Sequence, residues 1–332
     1  MSIKRKVSSI LVILLSLPIL LSLDSPAYDS TYYAKFKSPE NIMFLSYTEN
    51  WNEQKLEQLY HELIKNKHGE EIFLLQEVRV IGEPKFSDLR TRGQYHSLTN
   101  TITLYHADTS LEASELAGTL SHEYGHHFTY HYLKEHHLPN STWAKLRGLQ
   151  GEPVRWDAFW NYSTSHHMWY PQEIIADDYV LLYGATKPVK IEDVFTNEAF
   201  YRKTIHDNQE VANVLDNTEL HRYLEEQTGI AVDEDRLLSL PEFIKYKENV
   251  ISYKISQKAN VAYRLNVTSF NKNNKQYHEF LIITDEHTQD VINFPIPEMI
   301  LSMSKAEINL EIVDLNTSIG FQTNLEYIVL TD

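Results

Sequence analysis

The chain has 332 residues, enough for two domains, and its apolar (42%) and charged (23%) fractions are those of a soluble globular protein, not of a disordered or multi-span membrane chain. A formal net charge of −16 argues against nucleic acid as the main partner, because phosphate binding needs a basic face. Cysteine is absent, which excludes disulfides, thiolate metal sites and cysteine nucleophiles. Any bound metal must therefore be held by His, Asp and Glu.

Residues 1–27 have the pattern of an export signal. Three basic residues, Lys4, Arg5 and Lys6, precede the apolar stretch 7–23, and small residues follow at a position suited to cleavage. We therefore predict a secreted or extracytoplasmic protein. If the signal stays uncleaved, residues 7–23 anchor the chain in the membrane with the basic end inside.

The next segment predicts one helix and two strands. Asn50 and Glu53 have capping-box spacing and predict the start of a helix that ends near Gly69. Residues 72–81 are apolar and rich in β-branched side chains, which favours a strand. Residues 100–106 alternate between apolar and polar side chains and predict a second, short strand.

Two further helices are predicted in the middle of the chain. Thr109 and Glu112 form a second capping box, which opens a helical pattern that continues to about His136. Pro171 fits the first turn of another helix over residues 172–183, because proline has no N–H to lose there. The aromatic-rich stretch between these helices is predicted to be an ordered connection.

The sequence pattern changes near Asn249, from helical periodicity to alternation. Several short strands over residues 251–332 predict a small antiparallel β-sandwich, similar in pattern to fibronectin type III or immunoglobulin-like modules. We therefore predict an α+β fold: a domain of helices and a small sheet over 28–248, followed by the β-sandwich over 249–332. Substrate, the cell surface and the domain over 28–248 itself are candidate partners of the sandwich, and fold analogy does not choose among them.

The segment His122-Glu123-Tyr124-Gly125-His126 carries the strongest chemical signal. Its two histidines are four apart on a predicted helix, so both imidazoles project from one face and can reach one zinc ion at about 2.0–2.1 Å. Glu123 can take a proton from a zinc-bound water, whose pKa the metal lowers to about 7. The competing interpretation is a histidine-rich amphipathic helix without metal.

A catalytic zinc site needs a third protein ligand and an open position for water. The metzincin continuation fails, because Thr129 and Tyr132 stand where it requires glycine and histidine. Glu173 and Asp177 share one face of the helix predicted over residues 172–183. Glu173 can therefore bind zinc while Asp177 accepts a hydrogen bond from a ligand histidine. Other downstream residues remain open as third ligand: His166, His167, Asp177 and Asp178.

The pairing of His122-Glu123-x-x-His126 with Glu173-x-x-x-Asp177 resembles the gluzincins, the thermolysin-like zinc metallopeptidases. The resemblance covers about residues 95–185. It implies a zincin-like domain in which the two histidines and Glu173 hold Zn²⁺ while Glu123 acts as general base on the water. It also implies a peptide or protein substrate.

The resemblance implies two more features of the site. One is an edge strand that pairs with an extended substrate. Its candidate residues are Asn100, Thr101, Ile102, Thr103 and Leu104. The other is a Tyr or His that stabilises the oxyanion of the intermediate. Tyr170 and His167 are the first candidates because they adjoin the helix of Glu173, with Tyr162 and His221 as alternatives.

These observations predict an extracytoplasmic zinc metallopeptidase. Two other functions compete with it: a secreted binding or adhesion protein whose zinc fold does not catalyse, and a zinc hydrolase of a non-protein amide such as cell-wall material. Metal binding needs only the three ligands, whereas catalysis also needs the general base. Because Glu123 is present, the enzyme is favoured.

Overall fold

The computed structural model describes residues 31–84, 91–158, 160–271, 274–301 and 305–330. The signal predicted over residues 1–27 lies outside these ranges. Within them, none of the helices is both long enough and apolar enough to cross a membrane. Helices and several small sheets occur together, so the predicted α+β class is confirmed.

The chain divides into two compact units. The first comprises the described residues up to Tyr60 together with Phe73–Leu120, and the second comprises His61–Ile72 together with the chain from Ser121 onward. The second unit therefore contains both the later helices and all the C-terminal strands. A domain boundary at residue 249 stays a prediction.

The first unit contains one five-stranded sheet. Its strands are β1 (Ala34–Lys37), β2 (Met43–Ser46), β3 (Glu77–Val80), β4 (Gly93–His96) and β5 (Thr101–Leu104). Their order is β1-β2-β3-β5-β4, with the three inner strands parallel and the two outer strands antiparallel to their neighbours. Phe44, Val78 and Ile102 stand side by side across the inner strands and are fully buried. This row of apolar side chains forms the core of the sheet.

Strand β5 lies inside this sheet. Thr101 pairs with Glu77 of β3 on one side and with His96 of β4 on the other. Both sides of the strand are thus paired within the sheet, so no free edge remains for a substrate backbone. The prediction of an open substrate-binding edge is therefore wrong for its candidate residues, Asn100, Thr101, Ile102, Thr103 and Leu104. The outer strand at this end of the sheet is β4.

Helices α1 (Glu53–Leu63) and α2 (Ala113–Tyr132) are both shorter than predicted. Asn52 caps α1, because its side-chain oxygen accepts a hydrogen bond from the amide of Lys55 at 3.0 Å. A 3-10 helix, Glu70–Leu74, takes up the start of the predicted strand over 72–81.

The helices of the second unit carry its candidate functional residues. They are α3 (Thr142–Leu146), α4 (Pro171–Tyr183), α5 (Ile191–Phe195), α6 (Glu198–Tyr201), α7 (Thr218–Thr228) and α8 (Glu298–Leu301), with 3-10 helices Thr164–Trp169, Val214–Asp216 and Glu234–Arg236. Helix α4 confirms the prediction over 172–183, with Pro171 in its first turn and Gly184 just past its end.

The C-terminal strands form two antiparallel sheets. Their strands are β6 (Glu242–Lys247), β7 (Val250–Lys254), β8 (Val261–Asn271), β9 (Asn274–Ile283), β10 (Val291–Pro295), β11 (Lys305–Asp314), β12 (Gly320–Gln322) and β13 (Glu326–Val329). One sheet has the order β10-β7-β6 and the other β12-β11-β8-β9, with β13 also paired to β11. The larger sheet packs against helices α5 and α6 through Phe200, Ala262 and Val313, all nearly or fully buried. Strands and helices of the second unit therefore share a core.

Candidate metal centre

Helices α2 and α4 pack closely at Gly125. A β-carbon at this position would lie 2.9 Å from the carbonyl oxygen of Ala176 and 3.1 Å from the β-carbon of Tyr179, so any larger residue would force the helices apart. The neighbouring His122 and His126 thereby face the first turn of α4, which carries Glu173. The helix-propensity cost of glycine is offset by this close approach.

Three side chains from these helices converge on one point. His122 Nε2 lies 3.2 Å and His126 Nε2 3.4 Å from the same carboxylate oxygen of Glu173. Each residue offers one ligand atom, and the three atoms lie within 4.8 Å of one another. The group is largely buried and could hold a metal ion.

Asp177 orients the first histidine. His122 Nδ1 lies 2.8 Å from Asp177 Oδ1, and the amide of Asp207 donates to Asp177 Oδ2 at 2.7 Å. Because an ionised carboxylate only accepts hydrogen bonds, Nδ1 donates its proton to Asp177, and Nε2 is the nitrogen that faces Glu173. Although burial lowers the pKa of His122, its hydrogen bonds to Asp177 and Glu173 outweigh that effect and raise the pKa, so a metal ion would have to displace the proton on Nε2. The predicted contact of Asp177 with a candidate ligand histidine is thus present.

The carboxylates of the site are held ionised. Burial alone would raise the pKa of Glu173, but the neighbouring His126 and His122 outweigh it, so the pKa of Glu173 lies well below its ordinary value. For Asp177, too, burial is outweighed by the hydrogen bond and charge of His122 and by His206, which lower its pKa. Both side chains are therefore available as negatively charged groups at neutral pH.

Glu123 has the opposite electrostatic environment. It is 6% exposed, and burial raises the pKa of its carboxyl against the opposing effect of His126 and His122. A carboxylate with a raised pKa is a stronger proton acceptor than an ordinary glutamate. The direction of this shift agrees with the general-base role that the sequence predicts for Glu123.

His167 lies at the rim of the cluster. Its Nε2 is 3.4 Å from Glu173 Oε2, its other nitrogen is 3.0 Å from the hydroxyl of Tyr162, and its side chain is 43% exposed. The predicted adjacency of His167 to the site is therefore observed, and a ring at the rim can meet both solvent and a ligand.

Tyr170 has a structural environment instead. Its side chain is fully buried, its hydroxyl donates to the carbonyl of Asn161 at 3.0 Å, and the same hydroxyl accepts from the amide of Ser163 at 2.7 Å. A hydroxyl engaged in this way has no proton left for an oxyanion, so the predicted role of Tyr170 is not supported. It anchors the segment that carries His167.

The remaining candidates for the third ligand or the oxyanion stabiliser have hydrogen-bond partners of their own. Both oxygens of Asp178 accept hydrogen bonds from Arg147 Nε at 3.0 Å, and His221 Nε2 lies 2.7 Å from the carbonyl of Val214. His166 lies beside Ser165, with its Nδ1 3.2 Å from that hydroxyl. Within the described ranges, the ligand cluster comprises His122, His126 and Glu173 alone.

Two residues near the site were not predicted. Tyr130 stands one turn after His126 and is 43% exposed; partial burial and then the charge of Glu173 raise the pKa of its phenol. The spacing 122, 126, 130 marks one helix face and could have revealed it. His206 lies behind Asp177, with Nδ1 3.6 Å from Asp177 Oδ2 and Nε2 3.4 Å from Asp178 Oδ1. It lies in an irregular segment that carries no motif, so only the folded chain reveals it.

Compared with known proteins, the chain matches no family model and no curated protein. The resemblance to the gluzincins accordingly depends on the motif pairing alone.

Proposed function

We propose that this chain is an extracytoplasmic zinc metallopeptidase of the gluzincin type, with a zincin-like arrangement of helices α2 and α4. The observation that carries the proposal is the convergence of His122, His126 and Glu173, with Asp177 holding the far nitrogen of His122. A chance arrangement of surface histidines would not bury a carboxylate between them.

The donor set favours zinc. Two imidazoles and one carboxylate, in a chain without thiolates, are the ligands of the catalytic zinc sites that leave a fourth position open. When bound, zinc lowers the pKa of a coordinated water to about 7 and polarises a carbonyl oxygen.

The protein's own residues supply the remaining chemistry. Glu123, buried and raised in pKa, accepts the proton from the attacking water and passes it to the leaving amine. His167 at the rim, or the phenol of Tyr130, donates a hydrogen bond to the oxygen that becomes negatively charged. Asp177 keeps the tautomer of His122 fixed throughout.

The substrate class and location come from the resemblance and the N-terminal pattern. A peptide or protein chain is the proposed substrate, and the signal over residues 1–27 directs the protein out of the cytoplasm, where residues 7–23 anchor it if uncleaved. The acidic net charge disfavours nucleic acid as a partner.

The proposal is tested with Glu123→Gln, which removes the base and leaves the three ligands intact. We expect wild-type protein to contain about one zinc per chain and to hydrolyse casein, and the variant to keep its zinc while its activity falls by at least about 10²-fold. Glu135→Gln, an exposed glutamate past the end of α2, is the matched control and should behave as wild type.

Three results would contradict the proposal. Zinc-loaded wild type that cleaves no protein or peptide supports the binding-protein alternative. Activity on peptidoglycan without activity on casein supports the cell-wall amidase. A Glu123→Gln variant with full activity would remove this glutamate from the mechanism.

A further inference from the structure

His167 lies beside the candidate metal centre without belonging to its ligand cluster. Its Nε2 is 3.4 Å from Glu173 Oε2. Among the described residues, however, the ligand atoms that lie within 4.8 Å of one another belong to His122, His126 and Glu173. The carboxylate of Glu173 is ionised and can only accept hydrogen bonds, so an unprotonated Nε2 would set lone pair against lone pair. The nitrogen of His167 that faces Glu173 is therefore the one that carries a proton.

The other nitrogen of His167 meets a tyrosine. Its Nδ1 lies 3.0 Å from the hydroxyl of Tyr162, and a neutral imidazole with its proton on Nε2 has a lone pair at Nδ1. The phenol is then the donor of this hydrogen bond. Tyr162 thus favours the tautomer of His167 whose N–H points toward Glu173.

Tyr162 is itself held in place by Tyr170. The two rings stack with their centroids 4.8 Å apart and their planes at 17°. The hydroxyl of Tyr170 donates to the carbonyl of Asn161 at 3.0 Å and accepts from the amide of Ser163 at 2.7 Å, which fixes the backbone on both sides of Tyr162. Tyr170 is fully buried, whereas Tyr162 is 52% exposed. These contacts connect the core of the second unit to the imidazole at the rim of the site.

We propose that Tyr162 is a positioning residue of the metal centre. Its hydroxyl donates to His167 Nδ1 and holds the Nε2–H of that ring in place to donate to the oxyanion of the intermediate. A donor that is already oriented needs no rearrangement when the negative charge develops. The oxyanion part of the inference rests on the proposed function, whereas the hydrogen bond and the tautomer are properties of the chain with or without hydrolysis.

The hydrogen bond is tested by NMR of the full chain labelled with ¹⁵N-histidine, with one equivalent of Zn²⁺ at pH 8, where exposed imidazoles are mostly neutral. The signals of His167 are those that disappear in His167→Ala. We expect wild type to show a protonated Nε2 and an Nδ1 that accepts a hydrogen bond. Tyr162→Phe should shift the Nδ1 signal toward that of a free, unprotonated nitrogen. A wild-type proton on Nδ1, or an Nδ1 signal unchanged in Tyr162→Phe, would overturn the proposal.

The positioning role is tested by kinetics on fluorescein-labelled casein. His167→Ala should lower kcat by about 10²-fold or more, as removal of an oxyanion donor does. Tyr162→Phe keeps the ring that stacks on Tyr170 and should lower kcat roughly five- to tenfold with KM unchanged, the effect of one lost hydrogen bond. In the His167→Ala background, Tyr162→Phe should have no further effect, because the residue that it positions is absent.

Two kinetic results would contradict the proposal. An equal loss from Tyr162→Phe with and without His167 would show that the tyrosine does not act through the histidine. A raised KM with unchanged kcat would make Tyr162 a substrate contact instead. Inactive wild type would refute the proposed function and with it the oxyanion role, while the spectra still decide whether Tyr162 positions His167.

Tyr277→Phe is the matched control. Tyr277 is 59% exposed on strand β9, and its hydroxyl lies 2.8 Å from Asn266 Oδ1 and from Glu279 Oε1. The same loss of a hydrogen-bonded hydroxyl should there leave both kcat and the His167 signals unchanged. Zinc content should be about one equivalent in every variant, because none of these residues is a proposed ligand. Loss of zinc from His167→Ala would make His167 a ligand and overturn the proposal.

Discussion

Two buried groups of charged side chains in the second unit are neutralised in different ways. On the larger C-terminal sheet, Glu311 is bound by two permanent cations, Lys203 at 2.7 Å and Arg264 at 2.5 Å, and also accepts a hydrogen bond from Asn266 at 3.1 Å. At the candidate metal centre, the partners of Glu173 are imidazoles instead, those of His122, His126 and His167. An imidazole can exchange its proton for a metal ion near neutral pH, whereas Lys and Arg keep their protons at that pH and cannot bind a metal.

The difference separates a structural ion cluster from a site that can take a cation. Guanidinium and ammonium groups fill the space beside Glu311 and offer no lone pairs. The imidazole nitrogens beside Glu173 can offer lone pairs to a metal ion that displaces their protons, while Asp177 keeps a proton on the far nitrogen of His122. Burial of a carboxylate is common to both groups, so the identity of its partners is what indicates metal binding.

The largest expected effect is a loss of metal from the candidate metal centre. Glu173→Ala removes the only carboxylate of the donor set, so we expect zinc content to fall from about one equivalent to nearly none. Metal analysis of the purified protein measures this. The matched control is Glu311→Gln, which removes a carboxylate of similar burial and should keep its zinc. Full zinc retention in Glu173→Ala would disprove the proposed third ligand.

The second experiment removes the buried carboxylate from the ion cluster of Glu311, Lys203 and Arg264. Glu311→Gln leaves Lys203 and Arg264 without their buried counter-charge, and we expect the free energy of unfolding to drop by about 3 kcal/mol. Urea denaturation of zinc-free protein measures the change. A loss below about 0.5 kcal/mol would mean that solvent screens this cluster as it does a surface pair.

The pH dependence of stability tests the distinction between imidazoles and permanent cations, because buried imidazoles titrate in an accessible pH range. His136, a buried histidine outside both groups, provides the test. Burial lowers the pKa of His136 from 6.5 to about 4, with its Nδ1 bonded to the carbonyl of Leu133 at 2.7 Å. The unfolded chain therefore binds this proton first, and stability is lost as pH falls from 6.5 to 4, by about 3 kcal/mol in total.

The variant His136→Asn isolates this contribution, since asparagine can still donate to Leu133 and has no charge to gain. We expect its unfolding free energy, measured with chelator present, to fall by about 3 kcal/mol less than that of wild type between these pH values. Parallel curves for the two proteins would show that His136 is protonated as easily in the folded state as in the unfolded chain.

The smallest expected effect concerns Asp177. Asp177→Asn keeps all three ligands but replaces the acceptor for His122 Nδ1, so zinc affinity should fall roughly 10- to 100-fold without being abolished. Competition with a chromophoric chelator measures the affinity. An unchanged affinity would show that the hydrogen bond does not tune the ligand.

The sequence predicted what depends on local geometry. His122 and His126 lie four apart, as do Glu173 and Asp177, and helical periodicity alone puts each pair on one face. The proximity of His206 to Asp177 could not be predicted, because no periodicity links a residue of an irregular segment to a helix residue 29 positions earlier.

Local sequence patterns also could not predict the order of the strands or the partners of buried polar groups. The alternation in Thr101–Leu104 predicts a strand but not its neighbours, and the partners β3 and β4 make it an inner one. The hydroxyl of Tyr170 is satisfied by the backbone of Asn161 and Ser163, a contact that residue type does not reveal. Pairing and satisfaction of polar groups are properties of the folded chain.

Gly125 has a consequence for the geometry of the metal centre. The carbonyl oxygen of Ala176 lies so close to this residue that its missing side chain determines how near helix α2 comes to helix α4. Metal–ligand bonds of about 2 Å tolerate errors of only a few tenths of an ångström. A larger residue at position 125, which binds no metal itself, would therefore weaken metal binding by moving His122 and His126 away from Glu173.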